Sequence, residues 1–461
     1  MDLANAMTQQ QQSGRQHALV IGASMAGLLA ARVLSDYFEQ VTVIERDPLS
    51  DDARIRKSVP QGQHTHILLH KGVEIINNLF PDLYPSLEAD GAQPIDAIND
   101  FYWFHFGVWK LRFNGSMRIY GQTRPLLEYH VRRCVAARPN VRIIDTAEVL
   151  GIVDDTKNHA GIIGARVRIR NRANGEGYLE TNLIVDASGR GSQTPRWLTE
   201  LGYPPIDETQ IKIGVGYASR IYRRPANFHP KVFGLYPWPV DRTRYGYLIP
   251  IEGNAFSVTL SGYLPDHPPA DEAGFLEFAR GLSQPDIYEI LKVSEPLGPI
   301  TLFKYPVNKR RHYEHSTLPN GLVVLGDAVC GFNPINAQGM TIAALGAQTL
   351  LNCLEQQSRR GTMAGFPSRF QKALGKVVDV PWLLTKTEDF RHPEVEGKRS
   401  FDLTMLQNYV QRVGYLTATH PFVAQTFYEV LHMQKPPSAL FHPRILLPAL
   451  FAHQSVETAP G

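Results

Sequence analysis

The sequence predicts a mixed α/β fold in which a Rossmann-like domain is interleaved with an antiparallel β-sheet domain and followed by C-terminal helices. The pattern of residues 18–46 indicates a strand, a small-residue turn, a helix and a second strand, which is the opening of a parallel βαβ unit. Residues 214–263 contain four β-rich runs separated by turns, which favour an antiparallel sheet. The chain after about Gly339 has a mainly helical pattern.

The composition narrows the class of protein. The chain has 461 residues, 43% hydrophobic and 20% charged, which is enough for two or three packed lobes. A formal net charge of +3 is too small to indicate a nucleic-acid or membrane-surface partner, and we expect no nucleic acid. The three cysteines lack CxxC spacing, so we expect a reducing, cytoplasmic location. No run of about 18 apolar residues is present, and we expect no transmembrane segment.

The order of these patterns predicts five segments, the second and fourth forming one domain. A hairpin insertion at about 100–120 is centred on Asn114-Gly115, a strong short-range turn signal. The segments are a disordered lead-in (1–16), the first part of the nucleotide-binding domain (17–205), a β-rich substrate domain (206–310), the second part of the nucleotide-binding domain (311–355) and a helical C-terminal region (356–461).

The first motif that carries chemistry is the turn after the opening strand. Gly22 permits a tight turn and Gly27 permits close packing of helix and strand, so that phosphates can lie at the helix N-terminus. Ser24 stands where the pattern usually has its middle glycine. Glu45 ends the next strand, where an acid accepts hydrogen bonds from a ribose. The alternative is a purely structural turn.

Two later segments place an acid at the end of an apolar strand. The run 183–185 ends at Asp186, and the run 322–325 ends at Gly326-Asp327. An acid in that place can bind a polyol chain, while a helix that begins near Gly339 can stabilise negative charge on a neighbouring ring. Either segment alone could be an ordinary strand end.

Together the three motifs resemble those of the flavoprotein monooxygenases of the para-hydroxybenzoate hydroxylase fold. The resemblance implies FAD as the cofactor, and Arg124 matches the arginine that these proteins use near the FAD phosphates. Ala187 stands where the family has glycine after the acid, which weakens the match at Asp186. The implied contacts are Gly22, Ser24, Met25, Ala26, Gly27, Glu45 and Arg46 with the ADP half, Asp186 near the pyrophosphate, Gly326 and Asp327 with the ribityl and pyrophosphate region, and Pro334, Gly339 and Met340 with the isoalloxazine.

Residues 56–66 look like the corresponding segment of bacterial flavin epoxidases of polyether biosynthesis and of relatives of squalene epoxidase. This resemblance covers roughly residues 16–355 and adds Arg56 to the implied cofactor contacts. It makes Gln63 and His64 candidate catalytic residues near the flavin. His64 and His66 lack a clear third ligand, so we expect no metal site.

The resemblance implies a monooxygenase that hydroxylates or epoxidises a hydrophobic or aromatic small molecule of secondary metabolism. Molecular oxygen would react to form a flavin C4a-hydroperoxide. No second glycine-turn unit follows, so electrons would come from transiently bound NAD(P)H or from a separate flavin reductase. Aromatic residues on the predicted strands of the second domain could cover the substrate, although half or more would be core: Tyr217, Tyr222, Phe233, Tyr236, Trp238, Tyr245 and Tyr247.

Three other functions stay open. A flavin-dependent reductase or dehydrogenase, similar to the prenyl reductases, shares all three motifs. A halogenase is less favoured because Pro237-Trp238-Pro239 does not reproduce the Trp-x-Trp-x-x-Pro element of that group. A non-catalytic flavoprotein is the third alternative, because a shared architecture does not fix the chemistry.

Overall fold

We describe the fold from a computed structural model. The structure describes residues 15–155, 161–170, 175–226, 228, 232–239 and 242–452. Residues 1–14 of the predicted lead-in therefore lie outside the described residues.

The strands and helices alternate in the first part of the chain, strands dominate the middle, and helices dominate the end. In chain order the first elements are β1 (His17–Ile21), α1 (Met25–Leu34), β2 (Gln40–Ile44), α2 (His70–Leu79), α3 (Leu83–Ala89), β3 (Gln93–Asp96), β4 (Phe101–His105), β5 (Val108–Trp109), β6 (Arg118–Gly121), α4 (Arg124–Ala136), β7 (Val141–Ile144), β8 (Ala147–Asp154), β9 (Ile162–Ile169), β10 (Glu176–Glu180), β11 (Leu183–Asp186) and α5 (Thr194–Glu200). They are followed by β12 (Glu208–Arg223), β13 (Val232–Leu235), β14 (Arg244–Ile251), β15 (Ala255–Tyr263), α6 (Glu272–Arg280), α7 (Asp286–Lys292), β16 (Thr301–Arg311), β17 (Leu322–Val324), β18 (Cys330–Gly331), α8 (Gly339–Ser358), α9 (Phe366–Asp389), α10 (Phe401–Leu416), α11 (Pro421–Leu431) and α12 (Pro443–Phe451).

A five-stranded parallel sheet forms the first layer, in the order β17-β11-β1-β2-β7. Its central strands are apolar and buried on both faces, as expected for parallel strands covered by helices. Helix α1 packs between β1 and the long helix α8. This arrangement confirms the predicted Rossmann-like unit. It also brings the carboxyl ends of β1, β2, β11 and β17 to one edge of the sheet.

An eight-stranded sheet forms the second layer, in the order β18-β16-β12-β15-β14-β13-β4-β5. It is antiparallel except where β4 pairs with β13 in parallel. Residues 215–219 of β12 and all of β15 are buried, so the centre of this sheet is covered on both faces. Strands β4 and β5 come from residues 101–109, so part of the predicted hairpin insertion belongs to this sheet.

The turn of that hairpin is not at Asn114-Gly115, and this prediction is corrected. Strands β4 and β5 are joined at Phe106-Gly107, two residues with positive φ angles of 57° and 72°. The backbone N–H of Gly115 instead donates to a carboxylate oxygen of Asp96 at 2.7 Å. The next strand, β6, pairs with β3, so tertiary pairing and an acidic side chain outweigh the local turn signal.

The C-terminal helices close one side of the molecule. Apolar residues of α10, α11 and α12 share a core with β4 and the β3–β6 ribbon, and include Val413, Phe427 and Ile445. Helix α9 packs against α8 and against the first layer. Among the described residues, no helix is both long enough and apolar enough to cross a bilayer.

Candidate functional site

A cleft of about 1140 Å³ lies where the edge of the parallel sheet meets the eight-stranded sheet. At one end, the wall consists of the residues that follow β1, β2, β11 and β17. At the other end, it consists of aromatic and aliphatic side chains. Ligands of open α/β sheets bind at the carboxyl ends of the strands, which is the position of the first end. The volume exceeds the usual range of about 300–1,000 Å³ for a single small ligand, so the cleft has room for two.

The glycine turn after β1 forms the floor of the end of the cleft that lies at the strand ends. We call this end the nucleotide end. Gly22 has a φ angle of +100° and donates its N–H to the carbonyl of Ile44 at 2.8 Å. A Cβ on Gly27 would lie 1.8 Å from the Gly22 carbonyl oxygen, so only glycine allows α1 to pack this closely. Ser24, Met25 and Ala26 line the cleft at the start of α1. The helix N-terminus thus presents backbone N–H groups to an anion.

Glu45 lies beside this turn, at the end of β2, and is almost fully buried. Its carboxylate accepts the N–H of Ala23 at 2.8 Å and the N–H of Asp47 at 3.0 Å. A carboxylate has about four acceptor sites, and an ion pair with Arg56 occupies a third, so one remains for a ribose hydroxyl. The neighbouring Arg46 is exposed and also lines the cleft.

A buried cluster of opposite charges lies behind the turn. Arg124 donates to Glu128 at 3.0 Å and to the Ser24 hydroxyl at 2.9 Å. Arg56 forms ion pairs with Glu45, at 2.9 Å, and with Glu128. Burial alone would raise the pKa of Glu128, but Arg124 and Arg56 outweigh it and hold that pKa below its ordinary value. The cluster fixes the glycine turn, Glu45 and Arg124 relative to one another.

Two members of this cluster differ from the sequence prediction. Arg56 does not line the cleft, because its guanidinium is turned towards the Ala23 carbonyl oxygen, at 3.2 Å, and towards the two acids. Its predicted role as a direct cofactor contact is therefore corrected to support of the turn. Glu128 was not predicted at all. Its position four residues after Arg124 on α4 is the signal that could have found it.

Asp186 is fully buried beneath the cleft and does not form part of its wall. Its carboxylate accepts hydrogen bonds from the N–H of Ser188 at 2.9 Å and from the hydroxyls of Ser192 and Thr194. The hydroxyl-rich run after β11 thus satisfies the acid internally, and the predicted contact with the cofactor is corrected to a supporting role. The loop that it holds, residues 187–191, lines the cleft.

The late Gly-Asp motif reaches the glycine turn from the other side. Gly326 has a φ angle of +65°, and a Cβ there would lie 2.7 Å from the Ala26 side chain. Asp327 lines the cleft, and burial raises its pKa above the ordinary value. The structure therefore brings the first and third motifs into contact, as expected if both hold one ligand.

The turn before α8 lies next along the cleft. Pro334, Gly339 and Met340 line it, and α8 begins at Gly339 with its N-terminus directed at the cleft. Asn333 anchors this turn: it accepts from the Tyr217 hydroxyl at 2.8 Å and donates to Asp389 at 2.6 Å.

Asp389 ends α9 in a fully buried position. Besides Asn333, its carboxylate accepts from the hydroxyl of Tyr263 at 2.6 Å and from the side-chain amide of Asn308. Burial raises the pKa of Asp389 to about 6, although these hydrogen bonds act in the opposite direction. A buried polar network therefore fixes the turn that carries Pro334.

His64 lies in the wall between the two ends of the cleft. Its Nδ1 is 2.7 Å from the Ser219 hydroxyl, and its ring packs on Phe303 with centroids 5.5 Å apart. Burial lowers the pKa of His64 to about 4, so the imidazole is neutral at pH 7. Its buried Nε2 has no hydrogen-bond partner within the described part of the chain. The other candidate, Gln63, is exposed and does not line the cleft, whereas Gln61 does.

The far end of the cleft is apolar. Of the seven predicted aromatic residues, three line the cleft, Tyr217, Tyr236 and Tyr247, and the others do not. The remaining wall comes from β4, whose aromatic run at 101–104 is visible in the sequence, and from the helices after α8, for which sequence motifs carried no signal. Its members include Phe101, Trp103, Leu383, Leu406, Tyr409, Val410, Phe427, Val430, Leu440 and Phe441.

A protein of Mycobacterium tuberculosis, Protein Rv3254, is 30% identical to the chain over 401 residues, which cover 83% of the chain and 82% of that protein. The chain belongs to the family of this mycobacterial protein. No protein-family model matches the chain.

Solved structures establish the fold of this member of the Rv3254 family. The flavin-dependent brominase Bmp2 superimposes with a TM-score of 0.66 at 15% identity, over 90% of the chain and 94% of the brominase. PqsL, a probable FAD-dependent monooxygenase from Pseudomonas aeruginosa, gives 0.60 at 15% identity, over 82% and 98%. A flavoprotein/dehydrogenase from Cytophaga hutchinsonii gives 0.66 at 16% identity, over 94% and 96%. The chain has the fold of these flavoproteins, which confirms the predicted fold class.

Proposed function

We propose that the chain is an FAD-dependent monooxygenase that hydroxylates or epoxidises a hydrophobic or aromatic small molecule. The observation that carries the proposal is the continuity of the cleft, which runs from the glycine turn to an apolar chamber. A nucleotide site alone would not need the chamber, and a binding pocket for an apolar ligand would not need the glycine turn. We also propose action in the cytoplasm and in secondary metabolism. All three cysteines are unpaired, which favours a reducing compartment.

The residues at the nucleotide end fit FAD. The turn at Gly22 and the N-terminus of α1 would hold the pyrophosphate, with Arg124 beside it. Glu45 would bind the adenosine ribose and Asp327 the ribityl chain. When bound, FAD supplies the redox chemistry, taking electrons from NAD(P)H or from a separate flavin reductase and passing them to molecular oxygen.

The N-terminus of α8 supports the proposal through its electrostatics. A helix of 20 residues carries a partial positive charge at its first turn, worth about 0.3–1 kcal/mol to a nearby anion. Gly339 leaves this end open, since an added Cβ there would meet no atom within 4 Å. The helix would therefore stabilise negative charge on the flavin ring, which Pro334 and Met340 would border.

At the substrate end, the chain itself would position the substrate and exclude water from the cleft. Apolar walls exclude water, which strengthens every electrostatic interaction inside the cleft. His64 is held by Ser219 and kept neutral by burial, so it can donate or accept one hydrogen bond at the boundary between flavin and substrate. Its partner there would be a substrate hydroxyl or the flavin ring.

Two other reactions suit the same cleft. A reductase or dehydrogenase would transfer electrons between flavin and substrate without oxygen, and likeness to a flavoprotein/dehydrogenase favours it as the second candidate. A halogenase would need a halide ion. It is the third candidate function, supported by the likeness of the fold to that of a brominase. All three reactions share the cofactor site and differ in the co-substrate.

The test is to purify the protein, load it with FAD, and follow NADH and NADPH oxidation together with oxygen uptake in the presence of aromatic and polyene compounds. We expect oxygen uptake that depends on the compound. With ¹⁸O₂ as the oxygen source, we expect one ¹⁸O atom in the product. Equal product formation without oxygen would favour the reductase, and product that requires a halide would favour the halogenase. Protein that binds FAD but is reduced by neither NAD(P)H nor an added reductase would indicate a non-catalytic flavoprotein.

A further inference from the structure

A group of side chains that can ligate a metal lies at the turn after β16, outside the cleft. Tyr313–His315 form one turn of 3₁₀ helix. His312, Glu314 and His315 each offer one ligand atom, and these atoms lie within 4.8 Å of one another. None of the three residues lines the cleft. We call them the turn cluster.

The backbone of the turn places the two histidines side by side. Side chains three residues apart eclipse one another in a 3₁₀ helix. The rings of His312 and His315 are accordingly parallel, with an interplanar angle of 4° and centroids 5.4 Å apart. The side chain of Tyr313, between them in the chain, is almost fully buried and holds the turn on the core. The turn therefore presents two imidazoles on its outer side.

Glu314 is held against α9. Its side chain is 11% exposed, and a Cβ added to Gly375 of α9 would lie 2.9 Å from the Cβ of Glu314, so glycine at this position allows the close approach. Arg310 pairs with Glu314 at 2.6 Å and with Asp379 of α9 at 2.8 Å. Arg310 would thus keep a carboxylate partner if Glu314 bound a cation.

His312 makes the second contact that is typical of a metal-bound histidine. Its Nε2 lies 2.7 Å from the Thr209 hydroxyl, and its Nδ1 lies 3.2 Å from Oε1 of Glu314. Metal-bound histidines usually donate the other ring N–H to an oxygen, which fixes the orientation of the ring. With its proton on Nε2, the ring directs the lone pair of Nδ1 at the carboxylate.

The distance between these two atoms suits a shared cation. Zn²⁺ binds nitrogen and oxygen ligands at about 2.0–2.1 Å, so two ligands of a tetrahedral Zn²⁺ lie roughly 3.3 Å apart. The Nδ1 of His312 and the Oε1 of Glu314 are 3.2 Å apart. His315 is exposed, so its ring can turn towards them at little cost. Water would take the fourth position, as it does in zinc sites with three protein ligands.

We propose that the turn cluster binds one divalent transition-metal cation, with Zn²⁺ the best match, through Nδ1 of His312, the carboxylate of Glu314 and a ring nitrogen of His315. Mg²⁺ and Ca²⁺ prefer oxygen ligands, so two imidazoles favour a transition metal. The cation would stabilise the turn that joins β16 to the surface of α9. This site uses no residue of the cleft, so it does not depend on the proposed function.

The test is isothermal titration calorimetry of the untagged, chelator-treated full chain with Zn²⁺, with and without FAD. A titration with Co²⁺ adds a visible absorbance that reports tetrahedral coordination. His315→Gln, His312→Gln and Glu314→Gln each remove one ligand, and His315 is the one whose loss leaves the buried part of the turn intact. Thr209→Val removes the oxygen that orients His312 but removes no ligand. The control, His420→Gln, removes an exposed histidine outside the cluster.

We expect the wild type and His420→Gln to bind one Zn²⁺ per chain with micromolar or tighter affinity, whether or not FAD is bound. Each ligand variant should lose at least about 100-fold in affinity, and Thr209→Val roughly tenfold. Zn²⁺ should raise the melting temperature of the wild type and leave that of His315→Gln unchanged. Unchanged circular dichroism and FAD absorbance would show that the variants are folded.

Two results would overturn the proposal. The wild type would bind no Zn²⁺ if His312 only donates an Nδ1–H to Glu314. Binding that persists in His315→Gln would place the cation at another site, such as the histidines of the cleft. FAD binding is read separately, so failure of the cofactor site is distinguishable from failure of the metal site.

Discussion

The two ends of the cleft are built in different ways. The nucleotide end consists of tight turns at strand ends, where backbone fit and a buried cluster of four charged residues set the geometry. The substrate end consists of side chains from β4, the eight-stranded sheet and the last helices, in apolar contact. The first end allows few substitutions because backbone atoms meet there. The second end tolerates change, because apolar walls can repack.

This contrast separates the changes that should affect cofactor binding from those that should affect substrate turnover. Loss of a buried ion pair or insertion of a methyl group at a backbone contact should destabilise the nucleotide end strongly. Changes in the wall of the cleft should alter turnover while the fold and the flavin remain.

The largest effect is expected from Arg56→Met, which removes the shared partner of Glu45 and Glu128. An unpaired buried acid costs about 3–5 kcal/mol in the free energy of unfolding. The pKa of Glu128 is lowered in the folded protein, so its pairing stabilises the fold above its ordinary pKa of 4.5 and less as the pH falls below it. Urea denaturation at pH 7 and pH 4 measures both effects, and we expect the variant to differ from wild type most at pH 7.

The matched control is Arg168→Met, which breaks an exposed pair with Glu176. Exposed pairs contribute about 0–1 kcal/mol. If Arg56→Met cost no more than this control, the buried cluster would not organise the nucleotide end.

The next effect is expected from Gly27→Ala, because the new Cβ would lie 1.8 Å from the Gly22 carbonyl oxygen. Backbone must move to accommodate it, at about 3 kcal/mol. The absorbance of bound flavin after purification and the melting temperature should both fall. Gly177→Ala, where an added Cβ meets nothing within 4 Å, should leave both unchanged.

An effect of similar size is expected from Asp389→Asn on the pH dependence of stability. Burial raises the folded pKa from 3.8 to about 6, so between these values the folded protein binds a proton that the unfolded chain releases. Stability of the wild type should therefore fall as the pH rises through this window, by about 3 kcal/mol. The amide that replaces the carboxyl group cannot ionise, and Asn308, whose Oδ1 has no partner among the described residues, can turn its own amide to match it. Melting curves from pH 4 to 7 should show the wild type losing stability relative to the variant, and parallel curves would show that Asp389 does not titrate in this window.

The smallest effect is expected from His64→Ala, which should lower turnover about 100-fold, or about 2.7 kcal/mol, if the imidazole transfers a proton. The affinity for FAD should stay within twofold of the wild-type value, because His64 lies between the two ends of the cleft and not at the glycine turn. Steady-state kinetics and a flavin titration separate the two. His420→Gln, on the exposed surface, serves as the control. Unchanged turnover in His64→Ala would remove the residue from the reaction.

Sequence reasoning succeeded where structure is local. The turn at Gly22, the acid at Glu45 and the Gly326-Asp327 motif are short segments whose spacing is fixed by a strand end, and the structure brings them together. It failed at Asp186, because a strand-end acid looks the same whether it faces a ligand or the hydroxyls of its own loop.

The substrate end could not be predicted for a different reason. Its wall joins β4 to helices some 300 residues later in the chain, and no local pattern specifies that contact. The predicted hairpin turn at Asn114-Gly115 was wrong for a similar reason. Asp96 accepts the N–H of Gly115, and the strands pair elsewhere. Glu128 was missed because an i,i+4 pair on a helix resembles a solvated surface pair until its burial is known.

The assignment of the nucleotide end to FAD is decided by a titration of flavin-free protein with FAD, FMN and riboflavin, followed by flavin fluorescence. The glycine turn and Glu45 would contact only the ADP half, so we predict micromolar or tighter binding of FAD and at least 100-fold weaker binding of FMN and riboflavin. Equal affinity for FAD and FMN, or no binding of any flavin, would contradict the assignment.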